Sequence, residues 1–234
     1  MYKYLLAPLD KHFDLGFGFM GNTFRDAATT LTERKKQIYH GDIPISYLQR
    51  HAIELYLKSA IIILHKIKGN VIDANNKKTF PKLVSSGKLK PIYLVHSVGD
   101  LHHHLRITLN EMEGTLKEYS EICWEFSDTL TSNISIIDKN DPSSTFFRYP
   151  VTNEKGDDVK SPAKESSQVD ILDKMKSNTD FVKAIMVFDG NDDVISTYEI
   201  KKSMDEKISE ALLQVMEELH GFHSAMRAEI TDGW

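Results

Sequence analysis

The sequence has one cysteine among its 234 residues, Cys123. One thiol can form neither an intrachain disulfide nor a zinc knuckle, which suits the reducing cytoplasm where we expect this protein. We also expect no metal and no cofactor. An excess of basic residues is also missing, because the formal net charge is −5. The chain therefore has no global positive field that would hold nucleic acid by charge alone.

Long apolar runs are absent as well. The cluster at residues 61–64 is bounded by Lys58 and His65, which indicates a core segment and not a membrane helix. The apolar stretch within residues 1–10 is too short for a signal peptide or a membrane span. We therefore expect no membrane partner.

What the sequence does contain is helical periodicity. Apolar residues make up 41% of the chain and charged residues 27%, which is ordinary for a globular protein. Along much of the chain the apolar positions recur at steps of three and four. This pattern predicts helices at residues 22–40, 45–68 and 199–229. Between residues 98 and 137 it predicts either one helix kinked at Gly114 or two helices, at about 98–113 and 115–137.

The segments between these helices complete the predicted architecture. Residues 69–95 are polar and predict a connection with at most a short helix. Two β-like segments flank Asp189–Asp192 and predict a β-hairpin at about 182–198. We expect a mainly α fold, an up-and-down bundle of four to five helices with a small hairpin before the last. The expected organisation is an N-terminal loop at 1–21 and one domain at 22–234, with a polar loop insertion at 138–180.

The predicted helix at 45–68 is apolar around most of its circumference, which is typical of a buried helix. A narrow polar seam remains, and it contains His51, Glu54, Lys58 and His65. Glu54 and Lys58 are spaced i, i+4 in the favourable order. The seam is either a polar pocket within the bundle or an internally paired set that fixes helix register.

Two stretches of the sequence resemble the HEPN superfamily. One is the apolar helix with Ala52, Glu54 and Lys58, followed by the helical segment from Asp100 to Leu109. The other is Asp-Pro-Ser-Ser-Thr-Phe-Phe-Arg-Tyr-Pro at 141–150, which is similar to a signature of uncharacterised bacterial HEPN-like proteins. The resemblance covers roughly residues 25–225.

This resemblance implies a four- or five-helix bundle that is often a homodimer. Many HEPN proteins are metal-independent endoribonucleases of toxin–antitoxin and antiviral defence systems, and others bind RNA or proteins without catalysis. We expect a protein of a prokaryotic defence or toxin–antitoxin type system that binds RNA or a protein partner from the same operon. The alternatives are a metal-independent endoribonuclease and a catalytically inactive dimeric interaction module.

The RNase branch of the family carries an Arg followed, after four to six residues, by a His. In this branch His acts on the ribose 2′-hydroxyl and Arg holds the phosphate. Arg34 and His40 have this spacing but lie at the end of the first predicted helix, earlier than is usual in the family. Without catalysis they would form a solvated basic helix end. In the second stretch, Pro150 favours extended backbone at Tyr149, and we expect Arg148 to hold this loop on an acid of the bundle.

Three further motifs admit a ligand, but each has a simpler interpretation. Residues 16–21 match G-x-G-x-x-G without the preceding strand of a dinucleotide site, so an aromatic loop is expected. Adjacent histidines at 102–104 point in different directions on a helix and cannot all face one ion. His220 and His223, with Glu217, have a spacing compatible with a metal but are expected to be a surface pair.

Overall fold

A computed structural model describes Tyr4 and residues 6–38, 41–141, 163–177, 183–200 and 206–233. These residues form two compact units, one within residues 1–149 and 206–234 and the other within residues 150–205. Among the described residues the fold is mainly helical, as predicted.

The described elements follow in chain order. The helices are α1 (Phe17–Glu33), α2 (Asp42–Ile67), α3 (Val98–Glu111), α4 (Glu113–Lys117), α5 (Asp128–Asn140), α6 (Gln168–Ser177) and α7 (Glu206–Ile230). The strands are β1 (Lys82–Ser85), β2 (Lys88–Pro91), β3 (Ala163–Glu165), β4 (Lys183–Phe188) and β5 (Val194–Ile200).

Helix α2 is the centre of the first unit. It packs against α1, α3 and α7, while α5 packs against α3 and α7. Pro44 lies in its first turn, where a missing N–H leaves no helical hydrogen bond unmade. Every residue of α2 from Ala52 to Leu64 is buried, as its circumferential apolar pattern predicts.

Contacts along the helices give their relative directions. Gly21 approaches Tyr56 and Phe24 contacts His51, so α1 runs antiparallel to α2. Arg50, early in α2, contacts His96 just before α3. At the other end, Lys68 just after α2 pairs with Glu111 at the end of α3, so these two helices run parallel. The predicted up-and-down order is therefore wrong at this step, because residues 69–97 carry the chain back along α2.

The return connection contains the hairpin β1–β2, which the sequence analysis did not predict. Leu83 and Ser85 are buried on one face of β1. Ser86 and Gly87 form the turn with positive φ angles of 51° and 72°, as a two-residue hairpin of type I′ requires.

Helix boundaries differ from prediction where apolar residues pack from loops. The predicted helix at 115–137 is interrupted between α4 and α5, and Ser127 caps the new helix by accepting a hydrogen bond from Leu130 N. Trp124 and Phe126 nevertheless pack edge-on and tilted against Phe222 of α7. Phe126 therefore occupies a position of the predicted apolar stripe while it packs from a loop and not from a continuous helix.

The second unit contains α6 and a three-stranded antiparallel sheet in the order β3-β5-β4. The predicted hairpin before the last helix is confirmed by β4 and β5, which are joined by a turn around Asp189. Ile171 of α6 is fully buried, and Lys174 of α6 forms an ion pair with Glu199 of β5. Since β5 extends to Ile200, α7 begins later than the predicted 199.

The glycine motif at residues 16–21 starts a helix and is not a loop. Gly16 adopts φ 83° at the N-cap of α1, and Asp14 accepts hydrogen bonds from the N–H groups of Gly16 and Gly18. A Cβ at Gly18 would overlap His223 and Asp14, and one at Gly21 would crowd the Tyr56 ring. Gly18 and Gly21 therefore allow α1 to approach α7 and α2 closely. Because this cap starts α1 at Phe17, the helix begins inside the predicted N-terminal loop at 1–21.

Two glycine substitutions should have opposite effects on stability. Gly18→Ala forces a methyl group against buried His223, and overpacking of this kind costs about 1–3 kcal/mol. Gly221→Ala, on α7, places its methyl group in open space and should stabilise the helix by about 0.5–1 kcal/mol. Urea unfolding of both variants measures the difference, and a neutral Gly18→Ala would contradict the close approach.

Candidate functional site

Four buried charged side chains lie together on one side of α2 and are named here the α2 charge cluster: Arg50, Glu54, Lys58 and Asp141. Arg50 Nη1 donates to Glu54 Oε2 at 2.9 Å, and Lys58 Nζ donates to Glu54 Oε1 at 2.7 Å. Arg50 Nε lies 2.8 Å from Asp141 Oδ2. The i, i+4 spacing along α2 places three of these residues on adjacent turns, and Asp141 reaches them from the C-terminus of α5.

The α2 charge cluster is almost completely shielded from solvent. Each of its four side chains is at most 4% exposed. Burial acts to raise the pKa of Glu54. A hydrogen bond from His96 and the charges of Lys58 and Arg50 outweigh it and lower this pKa to about 2. Glu54 is therefore ionised at neutral pH, where it is the counter-charge of Arg50 and Lys58.

His96 joins this cluster to the protein surface. Its Nδ1 lies 3.0 Å from Glu54 Oε1, and its side chain is 44% exposed. An ionised carboxylate only accepts hydrogen bonds, so Nδ1 is assigned as the protonated ring nitrogen. The backbone carbonyl of His96 also accepts a hydrogen bond from Arg50 Nη2. His96 is thus an accessible imidazole oriented by a buried carboxylate, the arrangement that general acid–base chemistry uses.

The structure divides the predicted polar seam. Glu54 and Lys58 pair as the sequence predicts, but His51 packs edge-on against Phe24 and stacks on Tyr47. His65 lies farther along α2, where burial, together with Lys68, lowers its pKa. The seam is therefore an ion cluster at its centre and an aromatic contact at one end, not one continuous pocket.

Sequence reasoning missed Arg50, Asp141 and His96 as members of this cluster. The 50/54/58 spacing is a local signal that could have identified Arg50, because it repeats the i, i+4 step of Glu54 and Lys58. Asp141 and His96 lie 91 and 42 positions away from Arg50 and Glu54, respectively, as the sequence numbering shows. No local pattern connects them to α2.

The predicted catalytic pair falls only partly on described residues. Arg34 is exposed immediately after α1, which ends at Glu33 and is followed by a 3₁₀ turn at Lys35–Gln37. His40 lies outside the described residues, as do Arg148 and Tyr149. The roles assigned to these residues stay predictions.

A second buried polar set lies on another side of α2 and joins Ser59 to Asp14 and His223. Ser59 Oγ donates to Asp14 Oδ2 at 2.5 Å and lies 3.1 Å from His223 Nδ1. Burial lowers the pKa of His223 to about 4, so its imidazole is neutral at pH 7. All three residues are at most 1% exposed.

This set has the residue types of a hydrolase triad but not its connections. In a triad the aspartate binds the histidine, and the histidine takes the serine proton. Here the aspartate binds the serine directly, so His223 Nδ1 must supply the hydrogen for its own contact with Ser59. The set holds α1, α2 and α7 together and does not activate Ser59.

The histidine motifs also have other partners. Glu217 pairs with Arg25 of α1, His223 contacts Ser59, and His220 packs near the Tyr56 ring. His102 is buried beside Phe126. A search of the described residues found no group of three or more His, Cys, Asp or Glu side chains that could hold a metal ion.

Comparisons with protein-family models, curated proteins and solved structures found no match. None of the described helices combines the length and apolar character needed to cross a membrane.

Replacing Glu54 with Gln should strongly destabilise the protein at neutral pH. The substitution leaves Arg50 and Lys58 buried without their shared carboxylate, and breaking a buried ion pair costs about 3–5 kcal/mol. Since the pKa of Glu54 falls to about 2 on folding, its stabilisation is present above the ordinary carboxyl pKa. It is lost as the pH falls toward 2. The difference between wild type and Glu54→Gln should therefore shrink at low pH, as measured by urea unfolding at pH 7 and pH 3.

Glu113→Gln is the matched control for this measurement. Glu113 also accepts a hydrogen bond from a lysine at i+4, Lys117, but both side chains are more than two-thirds exposed. Solvent screening makes such pairs weak, so this variant should unfold like the wild type. Equal effects of the two substitutions would show that the α2 charge cluster does not stabilise the fold as described.

Proposed function

We propose that this chain is a HEPN-like helical protein of a prokaryotic defence or toxin–antitoxin type system that acts by complex formation and not by catalysis. The proposed complex contains a homodimer and a protein partner encoded in the same operon. The observation that carries this proposal is the buried α2 charge cluster, in which Arg50 and Lys58 each lie against a buried carboxylate.

An enzyme that binds a charged substrate needs accessible groups that supply the binding energy. A phosphate site requires cationic donors that can reach the ligand and meet its developing charge. Arg50 and Lys58 cannot serve in this way, because both are buried and bound to carboxylates. Removing either from its partner would leave an uncompensated buried charge, which is a large energetic cost. The polar residues that resemble the HEPN helix therefore fit a structural role.

Co-purification with the products of neighbouring genes tests this proposal. We expect a stable complex with one of them, detected as a defined mass by light scattering, and no RNA cleavage by the protein in EDTA. Arg34→Ala and His40→Ala should leave the complex unchanged. A protein that cleaves RNA and forms no such complex would contradict the proposal.

A metal-independent endoribonuclease is a second candidate, and His96 is the observation that favours it. Its imidazole is accessible and its Nδ1 is fixed on the Glu54 carboxylate, so its other nitrogen could exchange a proton with a ribose 2′-hydroxyl. In this case the acting histidine is on the loop before α3, and Arg34 and His40 need not be required.

The enzyme hypothesis predicts a specific loss in His96→Ala. Cleavage of a fluorescent RNA in EDTA should fall by about 10²–10⁴-fold, the usual contribution of a general acid or base. His103→Ala is the control, because this histidine is exposed on α3 and should not affect the rate. Parallel assays of Arg34→Ala and His40→Ala would show whether His40 or His96 acts. Unchanged cleavage in His96→Ala, Arg34→Ala and His40→Ala would exclude both the His96 site and the Arg34/His40 site.

A further inference from the structure

Strand β4 forms an edge of the three-stranded sheet in the second unit. Its inner side pairs with β5 from Lys183 to Phe188, and the sheet order β3-β5-β4 leaves its outer side without a partner strand among the described residues. The outer side of an edge strand presents N–H and C=O groups that another strand can pair with. The binding partner that fits this edge is therefore a segment of extended backbone.

From residue 184 to residue 188 the side chains of β4 are apolar and exposed, and they lie on both faces of the sheet. Ile185, Met186, Val187 and Phe188 are 40–53% exposed, and successive residues of a strand point to opposite faces. Residues 184–188 contain neither a charge nor a proline. A charged residue, a proline or a bulge ordinarily protects an edge strand from pairing with another chain. The only irregularity of the β4–β5 pairing is at its end, between Val187 and Phe188.

We propose that β4 pairs with β4 of a second copy of the chain, antiparallel and centred on Met186, to make one continuous six-stranded sheet. The pairing supplies partners for the outer backbone groups of β4 in both copies, which pair with no strand in the described part of the chain. It also covers apolar side chains on both faces at once, which a helix or a loop lying against one face would not do.

The sequence of the strand favours a second copy as its partner. In a two-fold symmetric antiparallel pair, each position faces the position reflected through the centre. With Met186 facing itself, position 185 faces 187 and position 184 faces 188, so every contact in the middle is apolar. Position 183 then faces 189, and the sequence has a lysine at one and an aspartate at the other. Opposite charges at directly facing positions stabilise an antiparallel pair.

This inference deepens the proposed function, because it names the surface of the proposed homodimer. It does not depend on which molecule the dimer binds. Its experiments measure the contact between two copies, while the proposed function is tested by the complex with a neighbouring gene product. Either can therefore fail without the other.

Disulfide trapping tests the position of the contact. Facing residues of antiparallel strands have Cα atoms about 4.5–5.5 Å apart, a distance that a disulfide spans. In a Cys123→Ser background, Met186→Cys should give a disulfide-linked dimer on mild oxidation. Val84→Cys is the control, because Val84 is 65% exposed on the other hairpin. Trapping of Met186→Cys no faster than this control would overturn the proposal.

Charge substitutions at the same position test the pairing without a covalent bond. Met186→Lys and Met186→Glu each place like charges opposite one another, which should raise the dimer dissociation constant by about 100-fold or more. An equimolar mixture should restore the dimer, because lysine then faces glutamate. Val84→Lys should stay as dimeric as the wild type in light scattering. A monomeric wild type at high concentration, or Met186 variants as dimeric as the wild type, would each overturn the inference.

Discussion

The carboxylate of Glu54 is the group on which the first unit depends most. Helix α2 is buried on every side, so any charge that it carries must find its counter-charge inside the protein. Glu54 accepts hydrogen bonds from Arg50 and Lys58, and it also contacts His96. Since Arg50 in turn contacts Asp141, this one carboxylate connects α2 to the end of α5 and to the start of α3. If any one of these charged side chains is removed, another buried charge loses a counter-charge, and the fold is destabilised.

The second buried polar set fixes the other neighbours of α2. Ser59 follows Lys58 directly, yet it faces Asp14 and His223 and not Glu54, because consecutive helical residues point about 100° apart. Gly18 allows α1 to come close enough for this contact. Apolar packing alone tolerates small shifts between helices. Two directional polar sets on different sides of α2 restrict those shifts. They fix how α1, α3 and α7 lie against α2 and where the end of α5 meets it.

The parts of this structure that the sequence could predict are those set by local spacing. The buried character of α2, its Glu54–Lys58 pair and the hairpin β4–β5 all follow from periodicity or from turn residues. The break after α4 could not be predicted, because Phe126 keeps the helical apolar spacing while it packs from a loop. The contacts of His96 and Asp141 with α2 depend on how the helices are arranged, and single-sequence patterns carry no such information.

The two units differ in what they leave available to other molecules. In the first unit the charges of the α2 charge cluster are buried against one another, and His96 is the exposed contact of this cluster. In the second unit the edge strand β4 exposes apolar side chains, and its residues 184–188 carry no charge. An edge strand of this kind is suited to association, because apolar burial and backbone pairing stabilise protein–protein contacts without requiring a reactive group.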